Sequence, residues 1–200
     1  TYIDKWIDQG NDPPKIVVRE ARKRGLDVFY SFRFNDIHDS FIPDEMPTFK
    51  AKNPHWMIGE RKYGSVTSFK TALNFAIPEV RELKYRVIEE LFQKYDFDGL
   101  ELDFSRNAML FPPGHQWTNR GLVNDFMREI RSTTLAIEQR RGRPFLLAAR
   151  EPDCITGCHF DGLEVEAWVN DNLIDMLVLG VRSFELDVEW FRNLIGSRPI

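Results

Sequence analysis

The sequence predicts an α/β chain of the (β/α) TIM-barrel type, a partial barrel covering about strands 3 to 6, with residues 1–200 as a single domain. Three observations carry that reading. Short apolar runs alternate with helical segments, which requires parallel strands joined by right-handed crossovers. The connections entering the runs are short (Arg24-Gly25, Tyr95-Asp96, Gly142-Arg143-Pro144), whereas those leaving them are long and aromatic. One run, from Tyr95 to Arg106, carries two carboxylates toward its C-terminal end, where barrels of this type keep their chemistry. A complete barrel has eight strands and needs at least about 200 residues. An open doubly wound sheet is the alternative, although no G-x-G-x-x-G or Walker loop follows any strand to hold a nucleotide.

Taken in order, residues 1–10 read as the end of a helix or a loop. Asp12-Pro13-Pro14 then starts a helix, with a capping Asp and Pro in the first turn. Ile16, Val17 and Ala21 form its apolar side, and Gly25 stops it. Leu26–Asn35 is a strand whose alternation puts Val28, Tyr30, Phe32 and Phe34 on one face and Phe29, Ser31, Arg33 and Asn35 on the other. Residues 36–77 are too long for a plain connection and predict small extra elements or a functional loop. Pro78 opens a second helix with Val80, Leu83, Val87 and Leu91 at helical spacing. The acidic strand follows, then a loop over 105–119. A third helix spans about 120–141 and closes at Gly142. Phe145–Arg150 is the third strand, a helix is expected at about 162–172, and Asp175–Arg182 is the fourth strand. A short helix at about 187–195 ends the run.

The composition is that of an ordinary globular chain, 42% hydrophobic and 29% charged. A net charge of −4 without a basic run leaves no footprint for nucleic acid. No apolar run approaches the roughly 18 residues of a membrane span, and no signal-peptide pattern opens the sequence. Cys154 and Cys158 are too few for a disulfide scaffold, and their spacing is not that of a zinc ribbon. Two free thiols are the reading, a local disulfide the alternative.

The chemistry concentrates at the strand ends. Glu101 and Asp103 share one face of their strand, roughly 6.5 Å apart along it, while Leu100, Leu102 and Phe104 share the other. The same parity on neighbouring strands turns Arg33, Asn35, Arg150 and Arg182 toward the barrel interior. A carboxylic acid kept protonated by burial can donate a proton to a leaving oxygen, and arginines beside it set its pKa. Asp103, nearer the mouth, is therefore the first catalytic candidate, and Glu101, deeper, the second. Two carboxylates on one strand do not flank a sugar, so a partner must come from elsewhere, with Asp36, Asp39, Glu151 and Asp153 available. The bland alternative is an internal ion-pair network. Trp56, Tyr63, Phe111 and Trp117 lie in strand-end loops, where flat sugar faces stack. Asp36, His38 and Arg106 complete the candidate substrate contacts. No second ligand cluster accompanies Asp36, His38 and Asp39, so no metal and no cofactor is assigned.

At three of these segments the chain resembles the glycosyl hydrolase-like family 10 group, TIM-barrel glycoside hydrolases. They are Arg22-Lys23-Arg24-Gly25-Leu26-Asp27-Val28-Phe29 through Arg33–Asp39, Leu73-Asn74-Phe75-Ala76-Ile77-Pro78-Glu79-Val80-Arg81, and Tyr95-Asp96-Phe97-Asp98-Gly99-Leu100-Glu101-Leu102-Asp103-Phe104. The resemblance implies hydrolysis of O-glycosidic bonds in a poly- or oligosaccharide, with Asp103 as the acid, and a secreted or cell-envelope location. Two departures limit it. Chitinase-type barrels read D-G-x-D-x-D-x-E, and Ser105 stands where the proton-donating Glu would be; the Asn-Glu pair of xylanase-type barrels is absent. The competing function is a non-catalytic carbohydrate-binding barrel with a structural ion-pair core. The partner expected is a carbohydrate, not nucleic acid or membrane. Half a barrel has two open edges, which a missing barrel half or a homodimer would close.

Overall fold

The computed structural model describes residues 2–59, 68–107, 109–180 and 186–200. Helices α1 (Tyr2–Asp8) and α2 (Pro13–Arg22) precede strand β1 (Phe29–Arg33). The following loop holds short 3-10 turns, at His38–Ser40, Pro43–Glu45, Pro54–Trp56 and Ser68–Thr71, and helix α3 (Thr48–Lys52). Then come α4 (Pro78–Lys94), β2 (Gly99–Asp103), α5 (Arg120–Arg141), β3 (Leu146–Glu151), α6 (Ile155–Asp161), α7 (Val165–Asn170), β4 (Met176–Leu179) and α8 (Val188–Ile195).

The strands form one parallel sheet in the order β1-β2-β3-β4, each joined to the next through helices. This is a partial (β/α) barrel. Register aligns Ser31, Glu101, Ala148 and Met176 in one row and Arg33, Asp103, Arg150 and Val178 in the next. Because side chains alternate along each strand, these rows share a face. The opposite face carries Phe32, Leu102, Ala149 and Leu177 in register and is covered by helices. Ile88 and Phe92 of α4, Val123, Phe126, Met127 and Ile130 of α5, and Trp168 of α7 are all buried there. Phe104 stacks on Phe34 at 4.4 Å and meets Trp168 at 5.1 Å. The first face remains open near the strand starts: Ser31, Leu146 and Met176 are exposed.

Charged groups tie the strand starts together. Asp98, just before β2, accepts the Val28 amide at 2.9 Å on Oδ2, and its Oδ1 receives Arg22 at 3.1 Å and also Arg143. Burial pushes the Asp98 carboxyl upward, but the Val28 amide and the two guanidiniums outweigh it and hold it below its usual range. Asp175, just before β4, repeats the device: it accepts the Leu147 amide at 2.8 Å and a bidentate Arg131 at 2.6 and 2.8 Å.

Two elements differ from the sequence reading in their limits. The strands are shorter than the apolar runs, since β1 is Phe29–Arg33 within 26–35. The helix expected at 162–172 is shorter, as α7 covers Val165–Asn170, and a further helix, α6, stands before it in the expected loop, ending at Asp161 where Gly162 turns left-handed at φ 80°. A Cβ at Gly162 would also lie 2.6 Å from the Gln116 carbonyl oxygen, so both backbone angle and space demand glycine. Trp168 of α7 is fully buried and Trp190 of α8 is packed against the core. Among the described residues no helix is long and apolar enough to cross a membrane.

Gly99 opens β2 pressed between both neighbouring strands. A Cβ there would lie 2.3 Å from the Phe29 ring and 2.6 Å from the Leu146 carbonyl oxygen. Because the second contact is backbone of the neighbouring strand, rotamer changes alone do not relieve it. Gly99→Ala is expected to destabilise the fold by about 1–3 kcal/mol through overpacking, measured by urea unfolding; an unchanged midpoint would show that the strands can part there without cost.

Candidate functional site

Asp103 closes β2 at the C-terminal edge of the sheet and is 2% exposed. Its Oδ1 accepts the backbone amides of Ser105 at 3.1 Å and Arg106 at 2.9 Å, which turns the chain sharply after the strand. Its Oδ2 faces Arg150 Nη1 at 3.6 Å, the residue beside it in register on β3. Glu101 lies one row below and accepts a 2.6 Å hydrogen bond from Ser31 Oγ on β1. The expected order of burial is inverted: Asp103 at the mouth is buried, and Glu101 below it is only half-buried. The reason is the open lower rows of that face, combined with loops folded over the upper one. Arg33, in the Asp103 row, is exposed.

Asn35 organises those loops. Its side-chain amide donates to the carbonyls of Leu73 at 3.2 Å and Met109 at 2.7 Å, and its Oδ1 accepts the Leu73 amide at 2.7 Å. Its own carbonyl accepts Asn107 Nδ2 at 3.3 Å, from a residue held at φ 56°. One buried side chain thus links the end of β1 to the loops after β1 and after β2. Its amide groups are engaged with protein backbone, a different use from the ligand contact expected of it. Arg106 enters the site through its backbone amide on Asp103, with its residue exposed.

The other candidates stand apart from Asp103. His38 is exposed and its Nδ1 lies 2.6 Å from Asp36 Oδ1. Trp56, half-buried, lines an open groove with Pro78, Glu79, Glu82, Leu83 and Arg86 at the start of α4. Trp117 is exposed, with its ring against His159 at 4.3 Å and under the Arg120 guanidinium at 4.4 Å. Phe111 is fully buried in the core and has no face left for a sugar. Tyr63 and Arg182 lie outside the described residues. Among the described residues no group of three or more His, Cys, Asp or Glu is arranged to hold a metal ion. Cys154 and Cys158 are free thiols, and burial pushes the Cys158 thiol up.

Two of the carboxylates offered as partners for Asp103, Asp39 and Glu151, are buried in other surroundings. Lys50 is buried and donates to both Asp39 oxygens, at 3.2 and 3.0 Å, and to the Asp36 carbonyl at 2.8 Å. Thr71 donates to Asp39 at 2.8 Å. Asp39 is therefore committed to a structural cluster. Glu151 is 0% exposed, and among the described residues neither carboxyl oxygen has a hydrogen-bond partner. It ends β3 on the helix-covered face, two residues beyond Ala149, so it does not share the face of Asp103. Burial first, and the nearby Glu166 second, raise its carboxyl well above the usual range.

Folded chains keep the Glu151 proton at pH values where unfolded chains have lost it, so stability falls as pH rises above the ordinary glutamate range. Glu151→Gln keeps the shape and removes the titration. It is expected to flatten that decline, and urea unfolding from pH 4.5 to pH 8 measures it; parallel wild-type and variant curves would contradict the assignment.

With this geometry in place, the comparisons with known proteins bear on it. The sequence profile described as Glycosyl hydrolase-like 10 matches residues 3–137. The chain belongs to the glycosyl hydrolase-like 10 family. The match includes β1, the long loop after it, α4, β2 and the Asp103 turn. The glycosyl hydrolase YngK of Bacillus subtilis (strain 168) is 23% identical over 236 aligned positions, which cover 96% of this chain and 44% of that protein. The chain therefore spans less than half the length of this relative. Among solved structures, an α-amylase from Lactobacillus plantarum superposes with a TM-score of 0.50 at 16% identity, covering 82% of this chain and 34% of that one. The chitinase ChiW from Paenibacillus sp. str. FPU-7 does so with a TM-score of 0.50 at 13% identity, covering 84% and 12%. At these identities the likeness is one of fold.

Proposed function

We propose that this chain forms the Asp103 half of a glycoside hydrolase acting on O-glycosidic bonds of a poly- or oligosaccharide. The observation that carries the reading is Asp103 itself, a carboxylate on the acidic face of the central strand pair, at the end of the sheet where barrels work. Membership of the glycosyl hydrolase-like 10 family supports it.

The partners of Asp103 refine its role. Two amide donors and a guanidinium are groups that pair with a carboxylate, and they orient it rigidly. Such a group suits the anionic part in glycoside hydrolysis: facing the positive charge that develops at the anomeric carbon. The proton donor expected at Asp103 from the sequence is then a second carboxyl, set on another strand end across the sugar. Glu151 is a poor choice, because its acid group is sealed on the helix side. Glu101 serves as the supporting charge below, tied to Ser31. Arg33, exposed in the row of Asp103, is available to sugar hydroxyls.

The competing reading is a carbohydrate-binding barrel without turnover. It is favoured by the engagement of both Asp103 oxygens with protein groups, which a purely structural carboxylate would also show. Asp103→Asn discriminates between them because it keeps the size of the side chain and removes its charge. Hydrolysis of an oligosaccharide panel by the wild-type protein, cut by at least about a hundredfold in the variant with binding retained, is the expected outcome, in the range of losing one electrostatic contribution to the transition state. Wild-type binding without turnover on any glycan, unchanged in the variant, would favour the binding barrel.

A further inference from the structure

A second pocket lies on the other side of β1. It measures about 290 Å³ and is lined by Asp36, His38, Asp39, Glu45, Pro47, Phe49, Lys50, Leu73 and Lys84. Lys84 reaches it from the middle of α4, with Nζ above the Phe32 ring at 5.5 Å from its centre. Phe32 belongs to the helix-covered face, opposite the row of Asp103, so this pocket is distinct from the strand-end site.

The two lysines of the pocket are in different states. Lys50 is fully engaged by Asp39 and the Asp36 carbonyl. Among the described residues, Lys84 has no carboxylate within ion-pair distance. Burial first, then the Lys50 ammonium, push the Lys84 amine down to about 8, with Asp36 opposing in part. The other groups facing the space are the His38–Asp36 pair at 2.6 Å and Glu45. The pocket therefore offers a weakly basic amine on an aromatic ring, an imidazole–carboxylate pair able to carry protons, and an apolar wall of Pro47, Phe49 and Leu73.

We propose that Lys84 is a carbonyl-reactive residue that captures a small hydroxyaldehyde, such as an open-chain aldose, as an imine in this pocket. The amine nitrogen adds to the aldehyde carbon, the C=O electron pair moves onto oxygen, and a proton shift gives a carbinolamine. Departure of that hydroxyl as water, with a proton supplied through His38, leaves the C=N bond. The net change is amine plus aldehyde to imine plus one water, with no change of oxidation state. Hydroxyls along the ligand find acceptors in Asp36 and Glu45, whereas an anionic ligand would meet those same carboxylates as repulsion. The inference stands on this pocket and does not depend on hydrolysis at Asp103.

The test uses glycolaldehyde and cyanoborohydride on the intact protein, followed by peptide mapping by mass spectrometry. At pH 7.5 Lys84 is expected to be reductively alkylated at least about tenfold faster than exposed lysines such as Lys15 and Lys52, and its rate is expected to level off above about pH 8. Added aldose should slow labelling at Lys84 and leave the exposed sites unchanged. Labelling spread evenly over the lysines, or an unmodified Lys84, overturns the proposal. Lys84→Arg, checked for native circular dichroism, should lose the fast site alone; persistence of a fast site elsewhere would equally overturn it.

Discussion

The architecture depends on the two-sidedness of β2. Leu100, Leu102 and Phe104 leave no exposed surface on the helix side, and burying such side chains contributes roughly 1.5–3 kcal/mol each. Those three positions fix the parity of the strand. Once they face the helices, Glu101 and Asp103 have no choice but the opposite side, because a slip of one residue would exchange the two sets. The same parity propagates through register to Arg33 on one neighbour and Arg150 on the other. The position of the acidic face is thus a consequence of hydrophobic burial on the other face.

The two ends of the sheet are held by different means. At the strand starts, carboxylates of Asp98 and Asp175 accept a neighbouring strand amide and pair with arginines, so short connections are locked by charge. At the strand ends, long loops meet over the sheet and are gathered by the neutral amide of Asn35. The charges kept there are Asp103 with Arg150 and the buried Lys50–Asp39 pair of the loop after β1. The asymmetry seen in loop lengths is therefore also one of chemistry: carboxylates that bridge neighbouring strands fasten the strand starts, and at the strand ends Asp103 is held on a backbone turn.

Much of this was legible in the sequence because period-2 alternation and helix stop signals are local. The four strands, the helices beginning at Pro13 and Pro78, the left-handed Gly142 and the buried Trp168 all follow from such signals. Gly162 was equally visible, but read as the start of a helix it concealed that it ends one, α6, in the stretch read as a loop. What stayed hidden depends on partners far along the chain. Asn35 reads as a polar strand-end residue; that it is used up by Leu73 and Met109 follows only from loop closure. Glu151 was readable by parity, two positions from Ala149, yet nothing local tells that Glu166 lies close enough to oppose its ionisation. Lys84 looks like an ordinary exposed helix residue until the loop after β1 folds over it.

Ligand is expected to bind at the strand ends, over Asp103, and not at the charged strand starts. Hydrogen exchange followed by mass spectrometry, with and without an oligosaccharide taken as substrate, tests this most directly. The result expected is slowed exchange in the turn after Asp103, in residues 105–107 and 109–119, and in the segment following β3, with no change around Asp96, Asp98 and Arg143. Protection confined to the Asp98 end of the sheet, or turnover without any change at the Asp103 turn, would contradict it.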